Sequence, residues 1–267
     1  MRQRIITGLI GGVAVVLLLL SSLNIIRVAI ALVSLYALHE MYTVVGVKNN
    51  LPLYITGLVF SAALFAVETF FPQFTMLLMF FYIFVMFVIM LLNYKNVKIT
   101  DLALCLFMTV YIVYNMAHIS FTRALPLGEY AIFLIFIGAF GTDTFAYFVG
   151  VTCGKKKLCP DISPKKTVEG AVGGLVGGIV CFVITGLIFQ FVFSVKVNYL
   201  YMVLLGLLCG IFSEIGDLAA SMIKRQFKIK DYGDLLPGHG GIMDRLDSII
   251  FVAPLVYCFI KNLPVLG

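Results

Sequence analysis

Residues 69–94 read Thr69-Phe-Phe-Pro-Gln-Phe-Thr-Met-Leu-Leu-Met-Phe-Phe-Tyr-Ile-Phe-Val-Met-Phe-Val-Ile-Met-Leu-Leu-Asn-Tyr94, without one charged side chain. A hydrocarbon core of roughly 30 Å is crossed by about 20 helical residues at about 1.5 Å each. The stretch is therefore a membrane-spanning helix. Three more uncharged runs, Ile5–Ile26, Leu102–Thr122 and Gly170–Val195, have the same character. The 267-residue chain is 62% hydrophobic and 12% charged, with a mean hydropathy of +1.09. Soluble domains hold about 45–50% apolar and about 25% charged residues. That excludes a soluble domain, a disordered chain and a disulfide scaffold.

The hydrophobic pattern predicts an all-α polytopic membrane protein of about nine spans, near 5–22, 27–47, 51–69, 73–93, 100–121, 128–151, 169–193, 198–223 and 246–262. The first is an uncleaved span rather than a signal peptide, because no small-residue cleavage pattern follows it. Residues 1–125 read as a lipid-facing scaffold. Residues 126–267 read as the catalytic region, because they hold the two polar stretches long enough for chemistry, 153–168 and 224–245. With the N-terminus in the cytoplasm, alternation of the spans puts 15 of the 19 Lys and Arg on the cytoplasmic side, as the positive-inside rule requires. Only Arg27, Arg123, Lys196 and Lys261 fall on the other side. The net charge of +6 is thus a matter of orientation and not of nucleic acid. Both polar loops face the cytoplasm in this reading.

The same orientation brings several acids to one level. Glu40, Asp143, Glu214 and Asp217 lie inside spans, and Asp244 and Asp247 open the last one. Asp143 lies about 12 Å and Asp217 about 10 Å below the cytoplasmic end of its helix at helical rise. An ionisable side chain within a membrane marks function by default, because its burial costs several kcal/mol. Ser213, Asp217, Ser221 and Lys224 share one helix face at spacings of 4, 4 and 3. A face of Asp and Ser suits a hard cation such as Mg²⁺, which takes one or two carboxylates and fills its remaining positions with phosphate oxygens and water. No His or Cys set competes for it. His39 and His118 read as packing residues, and four of the six cysteines lie in apolar spans.

Residues 231–247 read Asp-Tyr-Gly-Asp-Leu-Leu-Pro-Gly-His-Gly-Gly-Ile-Met-Asp-Arg-Leu-Asp. Gly238, Gly240 and Gly241 let backbone N–H groups approach an anion, and Arg245 can grip phosphate bidentately. The other loop carries Lys155, Lys156, Lys157, Lys165 and Lys166 and ends Ser163-Pro-Lys-Lys-Thr-Val-Glu-Gly170. There Ser163, Lys166 and Thr167 are candidates for holding phosphate where the next span begins. Gly150-Val-Thr-Cys-Gly-Lys-Lys misses the P-loop spacing and its Ser/Thr. Gly170, Gly174 and Gly178, with Gly173 and Gly177, form a small-residue stripe that lets helices pack closely, within the chain or between subunits.

The run Ser221-Met-Ile-Lys-Arg-Gln-Phe-Lys-Ile-Lys-Asp-Tyr-Gly-Asp-Leu-Leu-Pro-Gly-His-Gly-Gly-Ile-Met-Asp-Arg-Leu-Asp-Ser248 resembles the signature of the CDP-diacylglycerol synthases, also called phosphatidate cytidylyltransferases. Gly141-Thr-Asp-Thr-Phe-Ala-Tyr147 and Ser163–Gly170 resemble two further stretches of that family. The resemblance is close over about 141–254. It implies an Mg²⁺-dependent reaction, with a second cation left open, in which CTP and phosphatidate give CDP-diacylglycerol and pyrophosphate for phospholipid synthesis. It also implies a homodimer in the bacterial cytoplasmic membrane, with the site on the cytoplasmic side. Carried over, Asp217 and Asp244 resemble the metal carboxylates. Lys224, Arg225, Lys230, Asp231, His239, Arg245 and Asp247 match the polar positions of the signature, and Asp143, Ser163, Lys166 and Thr167 match the upstream motifs. Arg245, Lys224 and Lys166 are then expected on phosphates, with His239 as a phosphate contact. Two other classes compete. A CDP-alcohol phosphotransferase would need an Asp-Gly pair, which the chain lacks. A transporter would show two related halves, whereas the polar residues here crowd into one.

Overall fold

Some of the helices begin where a side chain caps their free N–H groups. In a computed structural model, residues 2–235 and 240–267 are described, with side chains from Gly11 onward. Each expected span is helical: α1 Arg2–Leu19, α2 Leu23–Val44, α3 Leu51–Phe70, α4 Thr75–Leu92, α5 Ile99–Thr109 continuing into α6 Asn115–Ala124, and α7 Gly128–Phe136 continuing into α8 Thr142–Cys153. After a short hairpin come α9 Val168–Phe193, α10 Tyr199–Gln226, the single turn α11 Met243–Leu246, and α12 Ile249–Asn262. The Thr167 hydroxyl accepts the Gly170 N–H at 3.1 Å and starts α9. The Asn198 side chain does the same for Leu200 and Tyr201 at the start of α10.

Among the described residues, seven helical stretches are long and apolar enough to cross a membrane: 23–44, 51–70, 72–92, 99–124, 128–153, 168–193 and 199–226. The last expected span, 246–262, is shorter than the pattern suggested. α12 has 14 residues, or about 21 Å at helical rise. Residues 243–246 form their own turn, which leaves Asp247 and Ser248 at the junction of α11 and α12.

Two spans are interrupted by π-helical turns, at Val110–Tyr114 and Ile137–Gly141. A π turn inserts a residue into the helical register, and such turns often occur at functional sites. The second ends immediately before Thr142 and Asp143. The lysine-rich loop is not irregular. It folds into an antiparallel hairpin, β1 Lys157–Cys159 against β2 Ser163–Thr167, with Lys157 opposite Thr167 and Cys159 opposite Ser163. Glu169 secures its base by accepting the N–H groups of Lys155 and Lys156.

The glycine stripe packs within the chain. Gly173 faces Val149, Gly177 faces Phe145, and Gly174 lies against Ala146 and the Thr142 carbonyl, so α9 sits directly on α8. On its other side, a Cβ at Gly178 would lie 3.0 Å from Thr142 Oγ1 and 3.2 Å from the Gly206 carbonyl oxygen. α9 thus packs on α8 and α10 with no side chain of its own at these positions. α12 packs on α6 and α10, and α6 on α2, joining the two halves of the chain. In the N-terminal half, the buried hydroxyls of Tyr42 and Tyr82 both bond to that of Thr109, tying α2 and α4 to α5.

Replacing Gly178 by Leu forces this three-helix seam apart, and overpacking of that kind costs about 1–3 kcal/mol. The thermal midpoint of the detergent-solubilised protein should fall clearly. Gly11→Leu, at a position with nothing within 4 Å, should leave it unchanged.

Candidate active site

The seam and the hairpin enclose a cavity of about 990 Å³. α8 supplies Asp143, α10 supplies Glu214, Asp217 and Lys224, and the hairpin supplies Lys157, Lys165, Lys166 and Thr167. The stretch after α10 adds Asp231, Asp244, Arg245 and Asp247. Six carboxylates and five cations therefore face one space. Phe140, Tyr147 and Val151 line it too, along the face of α8 where Tyr147 and Val151 are exposed. The cavity has a charged interior and an apolar flank.

Two of its lysines form ion pairs with its carboxylates. Lys166 Nζ lies 2.7 Å from Glu214 Oε2 and 2.9 Å from Asp217 Oδ2. The two acids are three residues apart on α10, so they present to one side. Burial works against the Lys166 ammonium, but Asp217 and Glu214 outweigh it and hold its pKa above the ordinary lysine value. The other Glu214 oxygen is buried without a hydrogen-bond partner. Lys224 Nζ lies 2.7 Å from Asp244 Oδ1 and 5.4 Å from the centre of the Tyr232 ring. Asp244 Oδ2 accepts the N–H groups of Tyr232 at 2.8 Å and Gly241 at 3.0 Å. Burial pushes the Tyr232 phenol up, and its hydroxyl donates to the Ala220 carbonyl at 2.8 Å. Asp143 accepts from the hydroxyls of Ser213 at 3.4 Å and Ser248 at 3.1 Å. Ser221 donates to Asp217 Oδ1 at 3.3 Å.

Of the residues singled out from sequence, Asp143, Lys166, Thr167, Asp217, Lys224, Asp231, Asp244, Arg245 and Asp247 come together in the cavity. Ser221 bears on it through Asp217, and Gly241 through its N–H on Asp244. Gly240 takes the left-handed conformation, with φ of 82°. Ser163 pairs with Cys159 in the hairpin, Lys230 is exposed, and Arg225 donates to the Ile162 carbonyl, bracing the hairpin against α10. None of these three lines the cavity. Gly238 and His239 lie outside the described residues. Sequence reasoning left Lys157 and Lys165 as bulk positive charge and gave Glu214 no role. For Glu214, the signal was its spacing of three from Asp217.

A hard divalent cation fits this donor set. Several Asp side chains face one cavity, and neutral hydroxyl groups, not cations, hold Asp143. Among the described residues no three His, Cys, Asp or Glu side chains converge on one point. The fit is therefore to an ion held by one or two carboxylates and completed by ligand oxygens and water, the habit of Mg²⁺. Asp217 is the more open candidate, its side chain 30% exposed. Asp244, 4% exposed, spends both oxygens on Lys224 and the two N–H groups.

The model of the cytidylyltransferase family matches residues 2–263, and the chain belongs to that family. It is 41% identical over 155 residues to the phosphatidate cytidylyltransferase of Bacillus subtilis (strain 168), which is 57% of this chain and 56% of that protein. It is 36% identical over 165 residues to the protein of the same name from Staphylococcus haemolyticus, or 62% and 61% of the two chains. The matched stretch thus spans less than two thirds of the length of these curated relatives.

Removing the Lys166 charge strands two carboxylates in a poorly hydrated space. Breaking one side of a buried pair costs about 3–5 kcal/mol, so Lys166→Met should unfold at markedly lower temperature, and adding Glu214→Gln should recover part of the loss. The sign with pH follows from a folded pKa above the unfolded one. The contribution of Lys166 is whole below the ordinary value of 10.5 and is lost as pH rises through the folded value. The gap in melting temperature between wild type and Lys166→Met should therefore stay constant from neutral pH to about 9 and close in stronger alkali.

Proposed function

We propose that this member of the cytidylyltransferase family transfers the cytidylyl group of CTP to phosphatidate, forming CDP-diacylglycerol and releasing pyrophosphate, at the cytoplasmic side of a membrane. The observation that carries this reading is the cavity itself. It gathers polar residues from 142–147, 163–170 and 213–248, among them Asp143, Lys166, Asp217, Lys224, Asp244 and Arg245, beside an apolar flank. A lipid of the cytoplasmic leaflet with its phosphate at the level of Asp143, Lys166 and Asp217 runs its acyl chains past Phe140, toward the membrane interior.

The chemistry asks little of a base. A phosphomonoester has its second pKa near 6 and is largely a dianion at neutral pH. One of its oxygens attacks the α-phosphorus of CTP, the bond from that phosphorus to the bridging oxygen breaks, and pyrophosphate leaves with the electron pair. The barrier lies in bringing two anions together and stabilising the leaving group, which is the work of cations. Arg245 offers a planar fork for phosphate oxygens. Lys166 and Lys224, held on carboxylates until substrate arrives, turn their ammonium groups to the phosphates. Asp217 and Asp244 are the carboxylates that would hold Mg²⁺. When bound, the ion neutralises phosphate charge and polarises the phosphorus under attack. The hydroxyls of Ser213 and Ser248 keep Asp143 aimed into the cavity. The bacterial origin of the relatives supports a site in the bacterial cytoplasmic membrane, and the same reading has the enzyme working as a homodimer.

The test is pyrophosphate release by the purified protein in detergent. Release should require CTP, phosphatidate and Mg²⁺ together and stop with EDTA. Asp217→Asn should abolish it while the thermal midpoint stays near that of wild type. Folded wild-type protein that releases nothing would overturn the assignment, and transport of ions or lipids would then be measured.

A further inference from the structure

Glu40 stands apart from the groups used so far. It lies late in α2, in the N-terminal half, and is 4% exposed. Its carboxylate nevertheless ends on the far part of the chain. Oε1 accepts the N–H of Ile242 at 3.1 Å, and Oε2 accepts that of Met243 at 2.8 Å. Two glycines make room for it. A Cβ on Gly241 would lie 2.6 Å from both Glu40 oxygens, and one on Gly233 would strike Oε1. From the other side of the same segment, Asp244 Oδ2 accepts the N–H of Gly241. Three consecutive N–H groups, those of 241, 242 and 243, are thus held by two carboxylates. The residues that follow are Asp244 and Arg245, both lining the cavity.

We propose that Glu40 is a positioning residue for the transfer reaction: it holds residues 241–243 so that Asp244 and Arg245 are presented to the cavity. Its kinetic consequence rests on the cytidylyl-transfer reading, whereas its structural consequence rests on the geometry alone. The group suits the task because both its oxygens accept and neither donates. A glutamine in its place would aim an NH₂ at one of the two N–H groups, donor against donor. An aspartate keeps both acceptors on a shorter stem and should retain more function than glutamine.

The experiment uses the full chain in detergent, with Glu40→Gln, Glu40→Asp and, approaching the carboxylate from its other side, Gly233→Ala. Pyrophosphate release is measured with CTP and phosphatidate, and amide hydrogen exchange is followed by mass spectrometry on a peptide covering 240–246. Hydrogen bonds to a charged group are worth enough that kcat/KM should fall about tenfold to a hundredfold in Glu40→Gln. Exchange over 240–246 should accelerate, and Glu40→Asp should fall between. Gly233→Ala should give the same signature, which keeps the test open if Glu40→Gln does not accumulate. Because Glu40 acts through Arg245, Glu40→Gln with Arg245→Lys should lose little more than the worse single variant. A general structural defect would instead multiply the two losses and lower the thermal midpoint, and that result overturns the proposal. So does unchanged exchange in both Glu40→Gln and Gly233→Ala, or wild-type turnover in Glu40→Gln. Wild-type protein that is folded and releases no pyrophosphate, while Glu40→Gln still speeds exchange, would sink the transfer reading and leave the brace standing.

Discussion

Charge in hydrocarbon must find its partners within the protein, because water is not there to supply them. That requirement organises the C-terminal half of this chain. Glu214 and Asp217 share Lys166; Asp244 takes Lys224 and two backbone N–H groups; Asp143 takes two serine hydroxyls; Glu40 takes two more N–H groups. Apart from the contacts of Asp244 within its own stretch, these pairings join elements distant in sequence. Satisfying all of them at once brings α2, α8, α10, the hairpin and the stretch after α10 to one place. The cavity is where these obligations meet, and the groups that neutralise one another there are those best suited to handling phosphate.

Such a meeting point needs helices that approach closely, and glycine provides them. α9 lies against α8 through Gly173, Gly174 and Gly177, and against α10 through Gly178. With no side chains at these positions of α9, the hairpin that precedes it sits low enough for Lys166 to reach α10. The π turn at Ile137–Gly141 belongs to the same arrangement, since it sets the register of Thr142 and Asp143 relative to the rest of their span. Arg225, outside the cavity, holds the hairpin down through the Ile162 carbonyl.

The spans were legible because hydropathy over twenty residues is a strong signal that tertiary contacts do not overturn. The acids inside them were legible because a carboxylate in an apolar run is conspicuous. The partners of those acids were not. Asp217 and Lys166 are separated by the whole of α9 and the first part of α10, and no spacing rule connects them. Lys224 and Asp244 were both recognised, one for phosphate and one for metal, but their contact with each other depends on how residues 228–243 fold. The hairpin was hidden for another reason. Strands of three and five residues leave no periodicity to read, and the five lysines of 155–166 resemble an ordinary membrane-flanking loop. The last span was overestimated because an apolar run does not reveal that Met243–Leu246 turns separately from the helix that follows.

The bond between Glu40 and Met243 spans 203 positions. A chain is made from its N-terminus, so α2 exists long before residues 241–243 emerge. Until then Glu40 has no amide partners, and Asp217 stands on α10 without the stretch that carries Asp244 and Arg245. Assembly of this pocket is therefore a closing event. Partial chains can insert and pack their early helices, but the arrangement of charges around the cavity arises only when the late segment docks onto the early one. A half-made protein in the bilayer holds the acids without their full set of neutralising partners, which makes the interval between insertion and docking the period of greatest exposure to quality-control proteolysis.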